Sequence, residues 1–545
     1  MNNQKVLLVL EIDPFKILTQ RPNHLINYLK NKFSEVQIIY VDYKLFLDKY
    51  FRFDDNYARE YTRYQRIDNV TYIGVPSSRY YEPAKRFILD RELLKYFITA
   101  LFKGIKFDIC LLAHPLSAPL LSSIKKNNIA DKVVYEDLDD FVSYYEHHEP
   151  HLKECIVKFE DYIIHRVDAV FSVSESLREY RLSQGHSKNT CFVSHNGVNS
   201  NFFLPVHQNI KRDNLIYMGS LEKWAGVQLA IKGFSKLLDL GIDTNLLIAG
   251  EGTYEPNLRK LVKKLGLEQK VIFLGRVKHI ELPELLAKTK LGIITFERSS
   301  LTALAHPIKL VEYLASGLVI VGSNFGEIKR AIKESGAGVA VKNDTEFANK
   351  VKELFINDQL YREYQKNAQK YAHDYEWEKL FDKEFDIIST IATKRSQPEL
   401  KYAKKRIINK LIAVFAQNEF PLDKLFANLE QEWLASGFHN VAIYGAGEHT
   451  EKLLRYLKFS HLKIIGLVDS NYQLHGTKKF DFPIMCMDEA IEKGIEAVII
   501  SSQRFEDDIY SMIKNVCQKK KIAIYPLYKK NKNYHDHIWR QLYVD

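Results

Sequence analysis

The stretch HPIKLVEYLASGLVIVGSNFGEI, residues 306–328, reads as loop, helix, buried strand and loop. Pro307 suits a helix start, where a missing N–H costs nothing. Leu310, Val311, Leu314 and Ala315 recur at helical spacing and define one inward face. Gly317 predicts the helix end. Leu318 to Val321 is a short apolar run of the kind found in central parallel strands. Gly322, Ser323 and Asn324 open a turn at the strand's carboxyl end, where open α/β sheets bind ligands. Lys309 falls in the first helical turn, where backbone N–H groups and the positive dipole end favour an anion such as phosphate. Glu312 comes one turn later, where a carboxylate can accept hydrogen bonds from two ribose hydroxyls. A solvated amphipathic helix with one Lys and one Glu is the plainer alternative.

The same stretch resembles the sugar-nucleotide site of retaining glycosyltransferases of family 4, in the branch with a PLKLYEYLAAGKPVV version of the motif. Family members often carry two glutamates seven residues apart. Glu312 matches the second, and Leu304 stands in place of the first. Gly326 and Glu327 match the motif's end. The resemblance implies the GT-B fold: two Rossmann-like α/β domains facing a cleft. It also implies a nucleoside-diphosphate sugar as donor, with His306 beside Lys309 and Glu312 at the donor site.

Composition sets outer bounds. The 545 residues are enough for several domains, and 46% apolar with 27% charged residues is ordinary for a globular protein. No apolar run reaches membrane-spanning length and no secretory leader is visible, so a cytoplasmic setting is expected. Five scattered cysteines form no CxxC pair, and nothing in the sequence calls for a metal. The net charge of +10 suits anionic partners such as nucleotides or lipid headgroups. No zinc-finger or RRM-like signature points to nucleic acid.

Residues 1–205 are expected to form the acceptor domain. Strands are expected at Val6–Leu10, Val36–Val41, Val70–Val75, Ile109–Ala113, Lys132–Glu136 and Ala169–Val173. Helical patterns lie between most of them, which predicts a doubly wound parallel sheet. Tyr43 to Arg66 reads as an excursion over the sheet. Gln20 to Leu25 resembles the branch's QRPQHLA entry. Arg21 there either contacts an anionic substrate or fixes the loop through carbonyls. His114 ends a strand at the carboxyl edge, where a family histidine meets the donor sugar; a structural histidine bonding a loop carbonyl is the alternative. Glu136, Asp137, Asp139 and Asp140 repel one another unless a cation or a hydroxyl-rich ligand lies among them. The run resembles the branch's YDCMDDLSAF, and Asp139 is the expected acceptor-binding or base residue. A helix N-cap role accounts for only one or two of these acids. Further along, residues 168–177 and 195–203 resemble the family's AD.VFT.S..L and NGVD...F segments.

Residues 206–395 are expected to form the donor domain. Many family members place an Arg and a Lys after its first strand to grip the diphosphate. Here Ser220 and Ala225 stand at those positions. The phosphate would then fall to Lys223, Lys309 and the N-terminus of the 307 helix. Trp224 would cover the site or fill the core. The resemblance also places Gly252 at a glycine turn and Val277 where backbone meets the base. Glu376-Trp377 resembles the family's closing motif, after which a helix crosses back to the first domain.

Residues 396–429 are expected to form a basic helical linker, able either to lie on an anionic membrane or to dock on the protein. Residues 430–545 begin a new βαβ unit. Gly445 and Gly447 follow a strand, and Asp469 ends the next one about 20 residues on, the spacing expected for a ribose-binding acid. The domain resembles the Rossmann-like module of some sugar acyltransferases. It would bind a nucleotide or dinucleotide, or serve as a scaffold. A nicotinamide-dependent activity would need a Tyr-x-x-x-Lys pair or similar group, and none is visible.

The expected function is retaining transfer of a sugar from a nucleoside-diphosphate sugar to a glycan or lipid-linked acceptor, in bacterial surface polysaccharide assembly, with no further cofactor. The protein would be cytoplasmic or peripheral at the inner face of the plasma membrane. The alternative is a catalytically impaired GT-B scaffold, which Leu304, Ser220 and Ala225 would favour.

Overall fold

The computed structural model describes residues 2–10, 13–15, 20–46, 55–78, 83–148, 150–203, 212–393, 422–502 and 505–531. The basic segment Lys394–Asn418 lies outside them. The chain forms two compact units. One comprises 1–45, 52–77 and 90–402, and the other 46–51, 78–89 and 403–545.

Among the described residues the first unit holds two sheets. Asn2–Leu10 (β1), Phe33–Phe46 (β2), Arg63–Ile67 (β3), Val70–Ser77 (β4), Phe107–Leu112 (β5), Ala130–Asp137 (β6), Ala169–Ser172 (β7) and Cys191–Val193 (β8) form the first, in the order 3-4-2-1-5-6-7-8. Its centre is parallel, β1 lying between β2 and β5, and its strands are almost continuously apolar because both faces are covered. The expected excursion over 43–66 is corrected at both ends. β2 runs on to Phe46, and β3 is an antiparallel edge strand on β4 whose five residues are all exposed.

Asn214–Met218 (β9), Leu246–Ala249 (β10), Val271–Gly275 (β11), Thr289–Ile294 (β12), Val319–Ser323 (β13) and Gly338–Val341 (β14) form the second sheet, all parallel, in the order 11-10-9-12-13-14. The order reverses between β9 and β12, which is the crevice where such sheets take ligands. The helix Ile308–Ala315 packs Leu310, Val311 and Leu314 into the core beneath this edge, with Pro307 at its N-cap and Gly317, at φ +72°, just past its end.

The helix Trp377–Thr390 returns to the first sheet. Trp377, Phe381 and Ile388 share a core with Leu25, Leu29 and Ile38, and Val198 pairs with Glu376 where the chain crosses.

Among the described residues the second unit has one sheet. Asn440–Tyr444 (β15), Lys463–Val468 (β16), Lys478–Lys479 (β17), Phe482–Met485 (β18), Ala497–Ile500 (β19) and Ala523–Pro526 (β20) lie in the order 17-18-16-15-19-20. The helix Leu422–Ala435 adds Leu422, Phe426 and Trp433 to its core. Among the described residues no helix is long and apolar enough to cross a membrane.

Candidate functional site

Lys309 occupies the crevice between β9 and β12. Its Nζ lies 4.3 Å from the centre of the Tyr217 ring and 5.6 Å from that of Phe296. A side chain at Gly219, whose φ is +133°, would come within 2.8 Å of that Nζ. Burial pushes the lysine down to about 7, and the Glu312 carboxylate offsets only part of that shift. An ammonium held over aromatic faces, with no carboxylate in ion-pair range among the described residues, is a site prepared for an anion. Ser220 is exposed and its carbonyl accepts from the Tyr217 hydroxyl at 2.7 Å. Lys223 is exposed, and Trp224, 41% exposed, does not fill the core. At Gly252 an added Cβ would come within 2.4–2.6 Å of three Leu221 backbone atoms, so this glycine lets two loops touch. A cavity of about 540 Å³ lies at the carboxyl ends of β12, β13 and β14, lined in part by Gly226, Glu297, Arg298 and Asn324, and it shares Phe296 with the surroundings of Lys309.

Glu312 is buried on the same helix, its Oε1 3.3 Å from His279 Nε2. His279 stacks on Phe202 at 4.9 Å, the two rings 1° from parallel. Sequence reading missed His279, which lies on the loop after β11 and has no spacing relation to Glu312. Val277, on the same loop, is half-buried against the core.

The acidic run at the end of β6 resolves residue by residue. Glu136 pairs with Arg21 at 2.6 Å. Asp137 pairs with Arg181, which also binds Glu160. Asp140 accepts from the Ser143 N–H and hydroxyl, and from the Ser300 hydroxyl across the cleft at 2.7 Å. Asp139 has neither a cation nor a hydroxyl bonded to it among the described residues, and burial together with Asp137 and Asp140 pushes its pKa up to about 7. His114 is buried, with its Nδ1 accepting from the Leu116 N–H at 3.1 Å, so its proton sits on Nε2. Burial and the Arg91 charge hold it far below the usual histidine range. It can therefore donate a hydrogen bond but is a poor base.

One open alternative closes, at Arg21, and one expectation is corrected, at His306. Arg21 is 3% exposed, and its donors are taken by Glu136, Glu384, the Ser194 hydroxyl and the carbonyls of Ser194 and His195. It fixes the loop and is closed to an anionic substrate. His306 does not present its ring to a donor, being 2% exposed and set among His195 and Tyr375. Among the described residues neither of its ring nitrogens has a hydrogen-bond partner, although an unpaired buried polar group typically costs about 1–3 kcal/mol.

In the second unit, the Asp469 carboxylate accepts from the N–H of Ala446 and of Asn471, both at 2.9 Å. The acid expected to hold a ribose is thus bonded to the glycine turn between Gly445 and Gly447. His449 bridges Ser501 and Tyr528 beside that turn at 2.9 and 2.7 Å.

With this geometry in place, the fold and its neighbours agree. HepE of Anabaena, solved in complex with UDP, superposes with a TM-score of 0.54 at 15% identity, covering 71% of this chain and all of that one. An E. coli structure titled trehalose-6-phosphate, bound with UDP-2-fluoro glucose, gives 0.54 at 12% identity over 72% of this chain and all of that one. The chain has the GT-B fold. Residues 204–371 match the family of glycosyl transferases group 1, and residues 437–523 match the family C2185-like, N-terminal. N-acetyl-alpha-D-glucosaminyl L-malate synthase of Bacillus anthracis is 27% identical over 162 residues, 29% of this chain and 40% of that protein. The chain spans roughly half the length of the curated relatives it matches, from 40% to 57% in the first three.

Proposed function

We propose that this protein is a retaining glycosyltransferase that moves a sugar from a nucleoside-diphosphate sugar to a glycan or lipid-linked acceptor in bacterial surface polysaccharide assembly. The observation that carries the reading is Lys309, a part-buried ammonium at the sheet's crevice without a carboxylate in ion-pair range among the described residues. A diphosphate would supply its missing partner, joined by the first N–H groups of the Ile308–Ala315 helix. Glu312 and His279 would face the nucleoside. Asp139 and the Nε2 proton of His114 would face the sugar and acceptor. Stabilising charge on the leaving diphosphate is the main requirement, a role that preorganised donors fill well. The nucleotides bound by HepE and the E. coli neighbour support a nucleotide sugar as donor.

The test is a calorimetric and hydrolysis panel of UDP-, GDP- and ADP-sugars on the purified chain, with Lys309→Ala and Glu312→Ala. Saturable binding of one donor with slow release of its nucleotide is expected. Lys309→Ala should weaken binding by roughly ten- to a hundredfold, the loss of one charged hydrogen bond. Unchanged affinity in a folded Lys309→Ala variant would overturn the site. A second reading, a sugar-nucleotide-binding scaffold, draws on Ser220 and Ala225 at the positions of lost cations. Donor binding without turnover across an acceptor panel would favour it.

A further inference from the structure

We propose that His195, His306 and Glu327 form a binding site for a first-row divalent cation, tested here as Zn²⁺, that ties the two halves of the first unit together. The three residues come from separate segments: the chain leaving β8, the residue before the Pro307 cap, and the first turn of the Gly326–Ser335 helix. One ligand atom from each lies within 4.8 Å of the other two. His195 Nε2 is 3.7 Å from Glu327 Oε1. Ligand atoms about 2.0–2.1 Å from a tetrahedral zinc sit roughly 3.3 Å apart, so closure by an ångström or so completes the set.

His306 gives the site its independent support. The residue is 2% exposed, and among the described residues neither ring nitrogen has a hydrogen-bond partner. A cation would occupy one of those nitrogens. Neighbouring contacts hold the Glu327 carboxylate and the His306 backbone in place. Glu327 Oε2 accepts the Ser176 N–H at 3.1 Å and faces Arg330 at 3.7 Å, which leaves Oε1 for the histidines. The Asn196 amide donates to the His306 carbonyl at 2.6 Å. Two imidazoles and one carboxylate suit zinc, cobalt, nickel or iron(II) better than magnesium or calcium. Three protein ligands leave a fourth position for water. His195 belongs to the acceptor half, whereas His306 and Glu327 belong to the donor half, so the ion would act as a clamp between them.

The experiment uses the full chain, stripped of metal by chelator and dialysis. Zn²⁺ alone is titrated by calorimetry, and Co²⁺ is followed by its visible absorption. The variants are His306→Gln and His195→Gln, with circular dichroism to confirm folding. His186→Gln serves as control, because Asp161, His165 and His186 form the other cluster with ligand spacing among the described residues. One equivalent of Zn²⁺ should bind, at least a hundredfold more weakly in both site variants and unchanged in the control. Co²⁺ should show the intense bands of a four-coordinate site, lost in the same two variants. No binding by the folded wild-type chain overturns the proposal, as does binding that His186→Gln removes and His306→Gln leaves intact. The donor panel above is independent of either result.

Discussion

Lys309 and Asp139 are displaced toward neutral pH from opposite sides, which gives each a signature that can be measured. The lysine is pushed down to about 7 by burial. A bound diphosphate would restore its charge and raise the pKa again. Donor affinity should then be full below pH 7 and fall as pH rises toward the bound-state value, by up to about tenfold per unit. The diphosphate of a sugar nucleotide has no proton of its own to lose there, so the slope reports protein groups, and an Asp139→Asn background leaves the lysine's share. Lys309→Arg, which stays charged, should flatten it. Calorimetry across that pH range checks both, and a flat wild-type profile would remove Lys309 from the phosphate. Asp139 is raised to about 7. Between about pH 4 and 7 the folded chain keeps a proton that the unfolded chain has shed, so stability falls as pH rises through that window. Asp139→Asn should therefore be more stable than wild type at pH 8 by about 1–2 kcal/mol, allowing for partial exposure, and equal to it at pH 4. Hydrogen exchange of the Ala130–Asp137 strand amides at the two pH values, corrected for the intrinsic rate, tests this. Loss of transfer alongside the gain in stability would mark Asp139 as a functional group held at a structural cost.

Among the elements, the turns after β9 and β10 set the shape of the donor crevice by touching backbone to backbone. Gly252 permits that contact. Gly252→Ala would drive a methyl into three Leu221 backbone atoms, which cannot swing aside as a side-chain end could. The expected result is about 1–3 kcal/mol of lost stability and weaker donor binding, because the 219–226 loop must shift away from Lys309. Thermal unfolding and the donor panel measure both, and a variant with unchanged affinity would show the loop is not part of the site. This element also marks how far sequence reading reaches. The helix at 308–315, its glycine end, the strand that follows and the Lys309–Glu312 spacing are local, so composition and period expose them. His279 on Glu312, Tyr217 under Lys309 and Ser300 on Asp140 join residues far apart in the chain, and no local pattern announces them. The four-acid run was legible as a problem, since like charges need a remedy. The remedy was not: Arg21 and Arg181 arrive from different helices.

Across the whole first unit, the buried ion network at Arg21 joins parts of the chain 363 residues apart. The arginine lies on the first helix, Glu136 at the end of β6, and Glu384 on the returning helix Trp377–Thr390. Arg21 also faces the Trp377 and Phe381 rings at 6.0 and 5.0 Å. Burial and the nearness of Glu136 push Glu384 well above the usual carboxylate range, and Arg21 works against that shift. Removing the cation would leave two buried carboxylates facing each other. Breaking one partner from such a network usually costs about 3–5 kcal/mol, whereas removing all charges together can cost far less. Arg21→Met should therefore loosen the returning helix strongly. Arg21→Met combined with Glu136→Gln and Glu384→Gln should recover much of the loss. A chain with three sheets need not unfold in one step, so the readout should be local. Hydrogen exchange of the Trp377–Thr390 amides supplies it. Protection should fall in the single variant and return in the triple. Equal loss in both would mean that the arginine's packing on Trp377 and Phe381, and not its charge, holds the returning helix in place.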